Sequence, residues 1–157
     1  MLFLWCFVVF ASQPVVAPVA HAVVTAQPVS APVKPGSKAI LLADVVPRAG
    51  IHVYAPPQAR YKPVAIAVDP AEGVKIAAPV FPPSSTLEFE GEKVRVYDRA
   101  FQIRVPVVVE SSAGARAKAR RGDKIPVTGR VTYQACDDIM CYVPKTVAVT
   151  WEIALKQ

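Results

Sequence analysis

The sequence predicts an all-β sandwich, on three observations. Short runs with period-two or continuous apolar character recur through the chain, each ended by Pro, Gly or Asp. No segment combines a sustained helical period with capping residues, and prolines sit in the connections rather than inside the runs. Many short strands of this kind pack as two sheets or close into a barrel. A sandwich is preferred, because the two long C-terminal runs are able to pair through one tight turn. At 157 residues the chain is long enough for one modest core and a leader or tail.

The N-terminal part stands apart. Residues 1–10, MLFLWCFVVF, form an apolar run too short to span a bilayer but of the size of a secretory signal's hydrophobic region. Ala20, His21 and Ala22 then offer a small-x-small cleavage site, so residues 1–22 read as a signal peptide. The first Lys or Arg is Lys34, so the usual positive start is missing and the leader reads as truncated. Cys6 and His21 leave with it. Residues 23–36, rich in Pro, Ala and Val, favour extended PPII-like backbone and read as a linker. Residues 37–157 are then the folded domain.

Nine strands are expected in order: Ala39–Val46, Gly50–Ala55, Val64–Val68, Val74–Ala78, Thr86–Phe89, Val94–Tyr97, Phe101–Val109, Ile125–Gln134 and Thr146–Leu155. In the second, Ile51 and Val53 alternate with His52, which therefore takes the opposite face and reads as a solvated or hydrogen-bonded histidine. In the last, Trp151 alternates with Val149 and Ile153 and reads as an inner-face core residue. The net charge of +6 comes from scattered residues and one cluster, Arg116, Lys118, Arg120 and Arg121 between Gly114 and Gly122, with Lys124 just beyond. Without interleaved aromatics to stack on bases it reads as a solvated hairpin loop, with attraction to anionic headgroups as the lesser alternative, and no nucleic acid is expected as a partner.

The most informative segment is Cys136-Asp137-Asp138-Ile139-Met140-Cys141. Val131, Tyr133 and Ala135 alternate with Thr132 and Gln134 ahead of it, the period of a half-buried strand, and the aspartates supply turn chemistry. A four-residue turn places the cysteines as cross-strand neighbours, whose Cβ atoms lie about 4.5–5.5 Å apart, near disulfide reach. With Cys6 removed, the pair is the whole cysteine complement of an exported domain, where disulfides persist.

Three readings of the pair stand. As a structural staple it closes so short a loop that it contributes only about 2 kcal/mol, against roughly 4–5 for a loop of a hundred residues. As a Cu(I) site it would enlist Met140 and His52, but four residues separate the cysteines where compact motifs leave two, and no metal or other cofactor is expected. As a thiol–disulfide exchanger it has no helix N-terminus or positive neighbour to lower a thiol pKa, and Asp137 and Asp138 disfavour a thiolate. Such thiols attack slowly until a docked partner activates them, which is the behaviour of a passive carrier.

Tyr133-Gln134-Ala135-Cys136-Asp137-Asp138, with Cys141 and Pro144, resembles the signature of the N-terminal periplasmic domain of the thiol:disulfide interchange protein DsbD. Gly50-Ile51-His52-Val53-Tyr54, the stretch from Pro82-Pro83 to Glu88-Phe89-Glu90-Gly91, and Tyr97-Asp98-Arg99 extend the resemblance over roughly residues 39–155. It implies an immunoglobulin-like sandwich in the periplasm, with Cys136 and Cys141 as the redox pair. Cys141 would form the mixed disulfide with partners and Cys136 would resolve it. It also implies a cap loop whose aromatic shields the pair, matched by Phe89 beside Glu88, with Tyr54 and His52 as further residues near the cysteines. The donors implied are a thioredoxin-like domain and a membrane electron transporter, and the acceptor a periplasmic disulfide isomerase or related oxidoreductase. Two departures are visible: Val143-Pro144 stands where many relatives have two prolines, and the electron conduit is expected on another polypeptide.

Overall fold

The computed structural model describes residues 20–57, 61–89 and 91–157, apart from the Phe89 side chain. All but the last three residues of the expected signal peptide therefore lie outside the described residues.

The strands are β1 (Ala22–Gln27), β2 (Lys38–Pro47), β3 (His52–Tyr54), β4 (Ala65–Val68), β5 (Val74–Ile76), β6 (Ser85–Phe89), β7 (Glu92–Tyr97), β8 (Phe101–Val109), β9 (Lys124–Tyr133), β10 (Ala135–Cys136) and β11 (Lys145–Ala154). Among the described residues there is one helix, α1 (Ala113–Arg121), which joins β8 to β9. The sheets run β1-β2-β8-β5, β11-β9-β4 and β10-β3-β7-β6, with antiparallel pairing throughout. This is the expected all-β sandwich, and each of the nine expected runs carries one of its strands.

Period-two alternation builds the core. Leu41, Ala43 and Val45 of β2 and Ile103, Val105, Val107 and Val109 of β8 meet Ile125, Val127, Val131, Val149, Trp151 and Ile153 from the β9–β11 pair in one buried cluster. Trp151 is in the core as expected, and its indole N–H donates to the Leu42 carbonyl across the sandwich at 2.8 Å. A strand pair this close leaves no room at Gly129, where an added Cβ would lie 2.6 Å from the Ala67 carbonyl oxygen.

Two expectations are corrected. Part of the segment expected as an extended linker is built into the sheet: Ala22–Gln27 pairs along β2 from Ala22↔Pro47 to Gln27↔Leu42, and Val33 bridges Leu155. The local reason is that no proline interrupts residues 19–27, so Val23, Val24 and Thr25 are free to join a ladder despite the proline-rich average. The Tyr133 hydroxyl then ties the strand's start by donating to the Ala22 carbonyl at 3.1 Å.

The basic segment expected as a hairpin loop is α1. Ser112 caps it by accepting from the Ala115 N–H, Gly122 closes it in the left-handed conformation at φ 71°, and Ala115 and Ala119 are the buried face. Alanine, lysine and arginine are strong helix formers, and cations in the last turn suit the negative end of the dipole. Nine residues with only alanines on the apolar side carry too faint a periodicity to read as amphipathic.

The third sheet positions the site, because both of its faces are packed. Val53, Tyr97 and Ala135 join the main core, while Tyr54, Val94, Val96 and Cys136 form a second buried cluster on the other side. Successive strand residues point to opposite faces, so every residue of the short β3 is buried.

Candidate redox site

The cysteine hairpin is built by β9 running past Gln134 into β10 and returning through Cys141 to β11. Its register is Tyr133↔Lys145 in the long ladder but Cys136↔Cys141 at the tip, so the returning strand carries one extra residue between these pairs. That residue falls in Tyr142-Val143-Pro144, where Pro144 has no N–H to give to a ladder. Cys136 and Cys141 are joined in a disulfide, with Cα atoms 4.0 Å apart.

Asp137 organises the turn. Its Oδ1 accepts from the N–H groups of Ile139 and Met140, both at 2.8 Å, and its Oδ2 accepts from the Tyr142 hydroxyl at 2.6 Å. The Tyr142 hydrogen bond, followed by those from Met140 and Ile139, pulls the Asp137 carboxyl down to about 2, and the same bond raises the Tyr142 phenol. Backbone bonds from Asp137 N–H to Met140 and from Tyr142 N–H to Ala135, at 3.0 and 2.8 Å, close the hairpin independently of the sulfurs. The two cysteines are thus held opposite each other by groups that do not depend on the S–S bond.

The sulfurs are unequal. Cys136 is 0 % exposed in the second cluster, whereas Cys141 is half-buried at the edge of that cluster, in a segment with Ile139, Met140 and Val143, which are 90, 54 and 80 % exposed. The Tyr54 hydroxyl lies 3.8 Å from the Cys141 Sγ, and the Tyr54 ring stacks on Tyr61 with centroids 4.2 Å apart. His52 pairs in register with Cys136 and meets the Tyr54 ring edge-on. It is buried, so of the two environments expected for it, solvated or hydrogen-bonded, the solvated one is excluded. Burial lowers its pKa, against the opposing pull of Asp138, Asp137 and Asp98. A cleft of about 350 Å³ opens beside the hairpin, lined among others by His52, Leu87, Val96, Asp98 and Asp138.

The structure therefore gathers Cys136, Cys141, Tyr54 and His52. Glu88 is placed elsewhere: it is exposed on the edge strand β6, opposite Lys93, with β7 and β3 between it and β10. Phe89 pairs in register with Glu92, and its side chain, like residue 90, lies outside the described residues. Three aromatic neighbours of the site escape sequence reasoning. Tyr61 follows a run of prolines with no pattern of its own, and Tyr142 carries no signal beyond adjacency to Cys141. His21, set aside as leader, stacks on the Tyr142 ring at 3.7 Å.

The family described as the N-terminal domain of the thiol:disulfide interchange protein DsbD matches residues 20–152. This chain belongs to that family. The match begins two residues before β1, in keeping with the place of that strand in the sheet. No curated protein sequence matches the chain. Among solved structures, the N-terminal periplasmic domain of ScsB from Proteus mirabilis is similar at 15 % identity and a TM-score of 0.57, covering 87 % of this chain and 48 % of that one. This chain spans about half of the ScsB domain's length. The reduced Neisseria meningitidis DsbD N-terminal domain is 19 % identical, with a TM-score of 0.46 and coverage of 74 and 78 %. The DsbD N-terminal domain in a complex with the PilB N-terminal domain of the same organism is 18 % identical, with a TM-score of 0.48 and coverage of 71 and 73 %. As a DsbD N-terminal family member the chain has an immunoglobulin-like sandwich, and its Cys136–Cys141 disulfide fits a thiol:disulfide interchange domain.

Proposed function

We propose that this domain is a periplasmic electron carrier that cycles between the Cys136–Cys141 disulfide and the dithiol. The observation that carries the reading is the inequality of the sulfurs: one is sealed in an apolar cluster and the other lies at a surface rimmed by exposed Ile139, Met140 and Val143. A staple has no need of an accessible sulfur or of uncovered apolar side chains next to it.

In the reducing half-cycle a thiolate of a thioredoxin-like donor attacks Cys141 Sγ. The Cys136–Cys141 bond breaks, a mixed disulfide forms, and Cys136 leaves with the electron pair and takes up a proton. The donor's second thiolate attacks its own sulfur in the mixed disulfide and releases Cys141, so two electrons and two protons have entered the domain. In the second half-cycle the Cys141 thiolate attacks a disulfide of an acceptor oxidoreductase, such as a periplasmic isomerase, and Cys136 resolves the adduct. The donor in turn draws on a membrane electron transporter, and an export signal in the residues ahead of β1 brings the domain to that compartment.

No cofactor enters these steps. The Asp137-held turn keeps Cys136 in place to resolve, and Tyr54 lines the Cys141 sulfur. Phe89, two residues beyond Leu87 in β6, shields the pair in the undocked domain; Leu87 itself packs on the cluster that holds Cys136.

The decisive measurement is the pair's reduction potential against glutathione and dithiothreitol buffers. A carrier equilibrates above about −300 mV, whereas a potential well below that would mark a structural bond and sink the proposal. Cys136→Ala should also accumulate a mixed disulfide through Cys141 with a thioredoxin-like protein in an envelope extract.

A further inference from the structure

The charge of this domain is concentrated at one pole. The end of the sandwich that carries α1, the 33–38 segment, the start of β5 and the chain's last residues is the far end of β9 from the cysteine hairpin. Ten residues of strand at roughly 3.3 Å each separate the two ends, about 30 Å. Lys34, Lys38, Lys75, Arg116, Lys118, Arg120, Arg121, Lys124 and Lys156 lie there, nine of the chain's 18 basic residues, against Glu72, Glu110, Asp123 and Glu152, four of its 12 acidic ones. The local excess of five is nearly the whole net charge of +6.

All four carboxylates are already engaged, in Lys75–Glu110, Lys118–Glu72, Arg121–Asp123 and Lys124–Glu152. Among the described residues, Lys34, Lys38, Arg116, Arg120 and Lys156 face solvent without a carboxylate partner. Lys34, Arg116 and Arg120 converge on a shallow notch of about 300 Å³ between α1 and Pro35.

We propose that this cationic pole docks the domain on an anionic lipid surface, leaving the cysteine hairpin pointing away from it. Charge complementarity supplies the attraction. The scarcity of exposed apolar surface there favours headgroups over an acidic protein: among the described residues the exposed large apolar ones are Val23, Ile40, Val46, Val80, Ile139, Met140 and Val143, none of them lies on α1, and only Ile40 borders the pole, in a cleft it shares with Lys34, Lys38 and Lys156. Specific protein interfaces gather around buried aromatic and aliphatic anchors, whereas a headgroup layer asks only for charge. Binding of this kind is reversible and screened by salt. It would raise the carrier's concentration near a membrane-bound donor while keeping Cys141 open to acceptors in solution, and it stands whether or not the redox reading holds.

The test is co-sedimentation of the full chain with phosphatidylcholine vesicles and with vesicles containing one third phosphatidylglycerol, at low and at several-fold higher salt. The expected result is a phosphatidylglycerol-dependent bound fraction that high salt abolishes. Each basic residue near an anionic surface is worth about fivefold in partitioning, so the exposed double variant R116E/R120E should lose well over tenfold. Lys145→Glu, at the cysteine pole, should lose almost nothing. Absence of phosphatidylglycerol-dependent binding at low salt, or equal losses in the two variants, would overturn the proposal. Orientation has its own readout: after reduction, maleimide modification of Cys141, followed on its peptide, should proceed at the same rate on vesicles as in solution. A strongly slowed reaction would refute the outward-facing hairpin.

Discussion

Tyr142 donates a 2.6 Å hydrogen bond to Asp137, and this side-chain pair spans the two arms of the cysteine hairpin. The same carboxylate accepts the Ile139 and Met140 N–H groups, so one ionised residue holds the turn between the sulfurs. Asp137 titrates at about 2 in the fold against 3.8 without these bonds, so its contribution is complete above the higher value and is lost as the pH falls through the lower one. Amide exchange at Ile139 and Met140 in the reduced domain should therefore accelerate across that acid window. Asp137→Asn should exchange fast at every pH and flatten the dependence; an unchanged acid profile in that variant would refute the role given to Asp137.

Tyr142→Phe removes only the hydroxyl. Because the hairpin keeps its backbone bonds, the fold should survive with little change in its urea midpoint. The Asp137 carboxyl should rise toward its ordinary value, which side-chain carbon chemical shifts would report directly.

Burial separates the reactivities of the cysteines. In the reduced domain iodoacetamide should modify Cys141 at least tenfold faster than Cys136, as read by peptide mass spectrometry. Comparable rates would mean that the second cluster opens as readily as the surface, and the assignment of Cys141 as the partner-facing sulfur would fall.

Tyr54 is fully buried between the cysteines and Tyr61, so its truncation has two separable effects. Tyr54→Ala should cost about 3–5 kcal/mol in urea unfolding through the cavity it leaves. Tyr54→Phe keeps the packing and should change stability far less while altering the Cys141 alkylation rate, since the hydroxyl approaches Sγ.

His52 links stability to mildly acidic pH. Its pKa is lowered below 6.5 by burial, so the unfolded chain takes up the proton first. The associated stability is present above 6.5 and declines as the pH falls from there toward the folded value. Urea midpoints should drop over that interval in the native protein, and His52→Gln should remove that component of the slope.

Legibility followed the physics of each element. Strands that bury one face wrote an alternation into the sequence, which is why β2, β8, β9 and β11 stand close to where they were expected. Helix α1 did not, because a nine-residue helix that buries two alanines leaves no apolar stripe, and its Ser112 and Gly122 caps passed for loop residues. Strand β1 was hidden by the prolines around it. Its short Val-Val-Thr run becomes a strand only because β2 offers an unpaired edge and Tyr133 an anchor.

The sequence alone determined the sandwich class, the pairing of Cys136 with Cys141 across a turn, and the core position of Trp151, since all three depend on local period and spacing. Only the tertiary structure decided which sulfur is accessible, that His52 is buried beside Cys136, that Tyr61 and His21 reach the site, and that the positive charge gathers at the far pole. Those properties depend on which strands become neighbours and which faces are covered, and a sheet packed on both sides brings together residues far apart in the chain.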